Sequence, residues 1–255
     1  MRSMSIPPSN AGGGDPEVRP SFVEIADERE PIAGEALQLI RRAFPPRERQ
    51  PLEQIAMEIA EKRLGLLTSY DFHLIAALSA AGEVVAVVSG VYLGGVNTGF
   101  VTYLAVDPPA RDQQVGRGLR VALVDAFRRD SRALDWPDLA AVVGEVRLES
   151  PWLARLVRDR AVLPLDLNYF HPGEEPTAPD ARWVLYRQPV ADDRLELPVG
   201  EVRQLLYAIW RRAYRVRWPL EREGFKVMLR ELSGRSHVGS HPEVPVHDAD
   251  LEEGM

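Results

Sequence analysis

The chain has 255 residues, 45% hydrophobic and 27% charged, with a formal net charge of −7 and no cysteine. That composition excludes disulfides, thiolate metal ligands and a cysteine nucleophile, and offers no apolar run long enough to cross a bilayer. The acidic balance argues against nucleic acid as the main partner, because phosphate binding wants a basic face, and suits a cationic ligand instead.

In chain order, residues 1–20 hold Pro7, Pro8, Gly12, Gly13, Gly14, Pro16 and Pro20 with almost no large apolar side chains. A disordered leader is expected there, since such a segment cannot repay the entropy of ordering. It lacks the basic and apolar regions of a secretory signal, so a cytoplasmic protein is expected. Phe22–Ile25 reads as a first strand. Pro31 then opens a helix with Ala33, Ala36, Leu37, Ile40 and Phe44 on one stripe, and a second helix fits 51–64, with Gly65 as its stop. Strands follow at 72–80 and 84–93, linked by the Ala81-Gly82 turn, and a central strand at Phe100–Val106 completes an antiparallel meander.

Asp107-Pro108-Pro109 stops the central strand, and from Gly116 the apolar positions Leu119, Leu123, Ala126 and Phe127 take helical spacing. The intervening loop, Arg111-Asp112-Gln113-Gln114-Val115-Gly116, delivers first-turn amides beside the positive end of a helix dipole, a ready-made anion site. A strand at 139–148 follows the helix, so a right-handed parallel crossover is expected.

At these residues the chain resembles the GNAT superfamily of acyl-CoA-dependent N-acyltransferases. Its signature is Arg or Gln, two residues, Gly, one residue, then Gly or Ala, at such a strand-to-helix junction. Gln113-x-x-Gly116-x-Gly118 satisfies the pattern literally. Counting from the strand end selects Arg111-x-x-Gln114-x-Gly116, with Gln114 departing from the usual glycine, and we adopt that register. The resemblance implies a mixed, mostly antiparallel α/β sheet (α+β) flanked by helices, with a parallel strand pair that splays apart at its middle. It implies an acetyl-CoA arm paired like an extra strand with the backbone of Leu104, Ala105 and Val106, and a pyrophosphate held at Arg111, Asp112, Gln113, Gln114, Val115, Gly116, Arg117 and Gly118. The two early helices would border the acceptor, making the charged residues between Arg47 and Glu61 candidates for substrate contact.

Transfer to an amine needs a proton acceptor, oxyanion donors and an acid for the leaving thiolate. Alternation puts Glu145, Arg147 and Glu149 on one side of their strand, and Glu145, following Gly144 near the expected splay, is the candidate base; a surface salt bridge is the competing reading. Tyr103 on the central strand is a second candidate for the same cleft. The tyrosine that many family members carry on the next helix has no counterpart between Pro151, which follows the candidate N-cap Ser150, and Pro164. Tyr169 lies just beyond, on an expected strand at 161–170, as either the missing acid or a core tyrosine. A last strand is expected at 182–187.

Beyond Pro189 two amphipathic helices are expected, at 198–214 with Val202, Leu205, Leu206, Ile209, Trp210 and Ala213 on its stripe, and at 219–232. They would cap the acceptor pocket, pack on the sheet or form a homodimer contact. Arg211, Arg212, Arg215, Arg217 and Arg222 read as a solvated basic face. The tail from Ser233 to Met255 is expected to be disordered, and its histidines match no closed metal site, so no metal is assigned. The expected organisation is a leader (1–20), a GNAT-like domain (21–190), a helical extension (191–232) and an acidic tail (233–255). The expected function is acetyl transfer from acetyl-CoA to an amine of a small molecule or peptide by direct attack in a ternary complex, with no nucleic acid or membrane as partner. The competing reading is a non-catalytic acyl-CoA-binding or protein-interaction module.

Overall fold

The computed structural model describes residues 20–67, 70–111, 114–159, 161–174 and 182–244. The leader up to residue 19, Asp112 and Gln113 of the loop, and the tail from residue 245 lie outside them. Strands β1 (Ser21–Glu24), β2 (Tyr70–Leu78), β3 (Val84–Leu93) and β4 (Thr98–Val106) pair antiparallel in sequence, and α1 (Pro31–Ala43) and α2 (Leu52–Arg63) fill the connection from β1 to β2. After α3 (Val115–Ala133) the chain returns as β5 (Ala141–Arg147), parallel to β4. Then come α4 (Pro151–Arg158), β6 (Leu163–Pro164) and β7 (Trp183–Pro189), completing a seven-stranded sheet of order β1-β2-β3-β4-β5-β7-β6. The parallel β4–β5 pair is the one joined by a helical crossover, as its connection requires.

Period-two alternation sorts the core into faces. Leu74, Ala76, Val87, Val91, Phe100, Val143 and Leu185 point to the side covered by α1 and α2, whereas Ile75, Ala77, Ala86, Val88, Val101 and Val142 pack under Leu119, Leu123 and Phe127 of α3. Thr102 interrupts the alternation: Ser89 pairs with Tyr103 but Gly90 pairs with Val101, so Thr102 is the extra residue of a β-bulge, its hydroxyl 2.8 Å from that of Ser89. The bulge shifts the phase by one. Tyr103 therefore shares the α1–α2 face with Phe100.

The extension packs on that same face. Helix α5 (Val199–Ala208) buries Val202, Leu205 and Leu206, and a π turn at Ile209–Ala213 continues the stripe through Ile209, Trp210 and Ala213. Helix α6 (Glu223–Glu231), preceded by a single 3₁₀ turn at Pro219–Glu221, adds Phe225 and Met228 to the same core.

Three expectations need correction. Residues 161–170 form only the two-residue β6 and two isolated bridges, Leu165 to Ser240 and Tyr169 to Trp183, because Pro164 has no N–H to continue a ladder and sits at the sheet edge. The first part of the expected disordered tail is ordered: β9 (His237–Val238) pairs with β8 (Leu197–Pro198), and the amide of His241 donates to the Pro164 carbonyl at 2.9 Å. Arg215 is not on a solvated face, since its side chain is only 22% exposed and lies against acidic residues of α2. Ser150 precedes α4 as expected but makes no side-chain cap bond.

Candidate active site

Pairing between β4 and β5 runs from Thr98–Ala141 to Val101–Gly144 and stops, although β4 continues to Val106 and β5 to Arg147. The edge of β4 beyond the bulge, with Leu104, Ala105 and Val106, thus has backbone groups without a strand partner on the β5 side. At the end of the paired region a Cβ on Gly144 would lie 2.3 Å from the Tyr186 hydroxyl, so only glycine admits that phenol. Burial pushes the Tyr186 hydroxyl up to about 12, with the Arg120 charge opposing the shift.

Glu145 is the next residue on β5. Its side chain is 6% exposed and faces the α1–α2 side. Oε1 accepts a hydrogen bond of 2.5 Å from the Tyr214 hydroxyl and lies 3.5 Å from His171 Nε2. The His171 ring stacks on Trp183 at 5.4 Å and meets Tyr214 edge-on at 5.0 Å, and Phe100 also packs edge-on against Tyr214. Tyr103 and Tyr169 belong to the same cluster. Burial raises both phenols, and the charge of Glu145 raises each further. The Tyr103 oxygen accepts the Gln50 amide at 2.8 Å, and Gln50 in turn donates its side chain to the Ala213 carbonyl. The structure therefore brings the three candidate catalytic residues, Glu145, Tyr103 and Tyr169, into one buried constellation. His171 Nε2 is buried there without a hydrogen bond, and Glu145 Oε2, the Tyr169 hydroxyl and Trp210 Nε1 are buried beside one another, with Tyr169 interacting with both Glu145 and Trp210 but without well-aligned hydrogen-bond geometry. Such a concentration of weakly satisfied polar groups distinguishes this region from the apolar core around it.

On α2, Glu58 is buried in the same region, its side chain 1% exposed, with neither oxygen hydrogen-bonded. Its one ion pair, 3.1 Å to Arg215 Nε, comes from the extension. Burial pushes Glu58 up to about 8, against the Arg215 charge and reinforced by Glu61. The charges of both Glu145 and Glu58 reach the Tyr103 phenol.

At the strand-to-helix junction Gln114 is left-handed, with φ 56° and ψ 14°, the conformation that favours glycine. The glycine-like position of the signature thus falls on Gln114, consistent with the register from Arg111. The first intrahelical bond is donated by Gly118 to the Gln114 carbonyl, which leaves the amides of Val115, Gly116 and Arg117 for other acceptors. A Cβ on Gly116 would make only an ordinary 3.6 Å contact with Val106, whereas Gly118 lies under the Phe22 ring and is required by packing. Arg111 ends the 3₁₀ turn at Pro108–Ala110 and is exposed.

Two other features lie apart. Asp71, His73 and Asp130 come together with metal-ligand spacing, but His73 Nδ1 and Nε2 already meet Glu24 at 2.7 Å and Asp130 at 2.6 Å. Lys62 Nζ, 2.9 Å from Glu24 and 3.3 Å from Asp71, supplies the positive charge an ion would bring. A cavity of about 350 Å³ opens at the start of β4 and β5, lined by Val96, Trp136, Val143, Arg187, Gln204 and Leu205 among others. Its charges are balanced internally, with Asp192 bridging Arg187 and Arg194.

Sequence reasoning missed Tyr214, His171, Trp183 and the partnership of Glu58 with Arg215. A lone acidic residue inside an otherwise apolar stripe, Glu58 between Ile55 and Ile59, was the signal for the last.

No family model matches the chain, and no curated protein sequence matches it. Among solved structures, a protein of Bacteroides thetaiotaomicron ascribed to the GNAT family of acetyltransferases superposes with a TM-score of 0.53 at 14% identity, covering 77% of this chain and 99% of its own. The ribosomal-protein-S18-alanine N-acetyltransferase of Escherichia coli matches with a TM-score of 0.44 at 17% identity, covering 69% and 99%. The mixed sheet with its one parallel pair, flanked by helices, is the GNAT acetyltransferase fold. Among the described residues no helix is long and apolar enough to cross a membrane.

Proposed function

We propose that the protein is a cytoplasmic, acyl-CoA-dependent N-acetyltransferase that moves an acetyl group from acetyl-CoA directly to an amine. The observation that carries this reading is the end of β4–β5 pairing at Val101–Gly144 with buried Glu145 one residue beyond. The free amides of Val115, Gly116 and Arg117 suit the donor's phosphates, and the unpaired edge at Leu104–Val106 suits its extended arm. In the reaction the amine nitrogen bonds to the thioester carbonyl carbon, the carbon–sulfur bond breaks, and the thiolate leaves with the electron pair. Glu145 takes the proton that the attacking nitrogen sheds, directly or through water, and the thiolate takes one from a nearby acid or solvent. Tyr214, whose phenol is raised by burial and by the Glu145 charge, stays protonated and orients that carboxylate. A second reading, donor binding without transfer, is favoured by one observation: Tyr214 already occupies Glu145 Oε1.

Calorimetry of acetyl-CoA on the wild type and on Gly116→Glu, with amine-dependent release of free thiol, tests both. Binding lost in the variant together with amine-accelerated release supports the transferase. Binding without acceleration supports the second reading, and no binding by the wild type leaves only the fold.

A further inference from the structure

Glu58 and Arg215 have no task in the transfer chemistry, yet their arrangement is costly. A carboxylate that is 1% exposed and accepts no hydrogen bond is unfavourable even when ion-paired. Its cation arrives on a segment held in uncommon backbone: a π turn at Ile209–Ala213, then Arg215 itself at φ 56°. Such local costs persist where a ligand, not the fold alone, uses the group.

Taking the amine-acetylation reading as its basis, we infer that the acceptor is a linear diamine or longer polyamine. Its far ammonium takes the place at Glu58 that the Arg215 guanidinium holds in the free protein, while its near amine reaches Glu145. The two buried carboxylates, one on α2 and one on β5, are met by consecutive residues, Arg215 at Glu58 and Tyr214 at Glu145, so a ligand that reaches both needs a cation at one end, an attacking amine at the other and apolar length between. The surroundings supply that length in aromatic rings rather than hydrogen-bonding groups, with Phe44 packed on Tyr103 at 5.1 Å and Phe100 on Tyr214 at 5.7 Å. The exposed side of this arrangement is Glu61, whose side chain is 26% exposed and which also pairs with Arg215. Beside it the Tyr70 hydroxyl accepts from Arg215 at 3.0 Å, and the Tyr70 ring carries the Arg212 guanidinium at 5.4 Å. These groups already bind cations, supplied by the chain's own arginines. The proton balance also fits, because the near amine must be neutral to attack whereas the far one stays charged.

The experiment is calorimetry without acyl donor near pH 9, where Glu58 is ionised and alkylammonium groups remain protonated. Diaminopropane, diaminobutane and diaminohexane are compared with propylamine, butylamine and hexylamine on the wild type, Glu58→Gln and Arg215→Met. The best-fitting diamine is expected to bind the wild type at least about tenfold more tightly than its matched monoamine. In Glu58→Gln that ratio falls to within about twofold, and in Arg215→Met, which removes the built-in competitor, it rises. Equal binding of diamines and monoamines by the wild type, or a ratio that survives Glu58→Gln, overturns the inference. If Glu58→Gln does not fold, Arg215→Met decides: its melting temperature rises more with the diamine than with the monoamine, and an equal rise overturns the inference. Diamine-selective binding with no acetyl transfer would sink the transferase reading and leave this cation site standing. Transfer to monoamines with no diamine preference would do the reverse.

Discussion

Acidic residues gather around buried groups in two networks, and they are built on opposite principles. Around His73, on the α3 side of β2, both ring nitrogens are engaged by carboxylates, and Lys62 meets Glu24 and Asp71. Around Tyr103, on the α1–α2 side, Glu58 has no hydrogen bond at all and Glu145 only one engaged oxygen. The first network joins β1, β2, α2 and α3 and leaves nothing for a ligand to satisfy. The second draws on α2, β4, β5, the loop at His171 and the extension, and holds its polar groups open. The saturated network serves the fold, whereas the unsaturated groups at the end of the β4–β5 pairing are those we propose for chemistry.

The comparison breaks first at Glu145. If that carboxylate is the base, Glu145→Gln lowers kcat for acetyl transfer by about 10²–10⁴-fold while acetyl-CoA affinity stays within about twofold. A loss of less than about tenfold would place Glu145 with the structural group. The matching cut in the other network is Asp130→Ala, which leaves buried His73 with one of its two carboxylates. Thermal denaturation should then show a loss on the order of 3 kcal/mol, a fall in melting temperature of roughly 10 °C, with the amine-binding ratio unmoved. An Asp130 variant that melts like the wild type would mean that saturation contributes nothing here.

Tyr214→Phe sharpens the comparison on a smaller scale. It removes one charge-assisted hydrogen bond to Glu145 and keeps the ring against Phe100 and His171. We expect about a tenfold fall in kcat, little change in KM for acetyl-CoA and a fall in melting temperature of a few degrees, smaller than that of Asp130→Ala. A changed melting temperature with unchanged kcat would identify Tyr214 as a packing residue only.

The saturated frame was far more legible in the sequence than the open site. Strand alternation, the Pro108-Pro109 stop and the 116–127 helical stripe placed β3, β4 and the start of α3 within one or two residues, because each pattern has one period and one buried face. Glu145 could be singled out because its neighbour Gly144 signalled where pairing changes. Tyr214 and Arg215 could not: their role arises from the π turn that ends α5 and from contacts 69 residues away at Glu145 and 154 away at Glu61. A run of arginines read as a solvated face for the same reason, since periodicity reports which side of a helix is apolar but not what a following irregular residue meets. Likewise the phase of Tyr103 depended on the bulge at Thr102, which leaves no mark in a sequence where Ser, Thr and Gly all tolerate strand geometry.

The smallest effect, and the one that compares the networks most directly, is the pH dependence of stability. Glu58 titrates at about 8 when folded against an ordinary value of 4.5, with burial as the cause and Arg215, Glu61 and Tyr103 as the charged or titratable groups around it. The folded state thus keeps a proton that the unfolded chain releases, so the contribution is full below pH 4.5, declines as pH rises through that interval and is exhausted above pH 8. Glu24 behaves oppositely. Burial alone would raise it, but hydrogen bonds from His73 and Lys62 hold it at about 2, so its stabilisation is present above pH 4.5 and is lost as pH falls toward 2. His73, raised by Asp130 and Glu24 against the pull of burial, contributes stability below pH 6.5 that fades as pH rises through its elevated value. Melting curves of the wild type and Glu58→Gln separate these terms, because only the Glu58 term differs between the two proteins. The advantage of Glu58→Gln should be absent near pH 4, grow steadily to pH 8 and then level, amounting to roughly 2–4 °C per kcal/mol. A constant offset across that range would mean that Glu58 ionises in the folded protein as it does in water, and the open network would lose the property that distinguishes it from the one around His73.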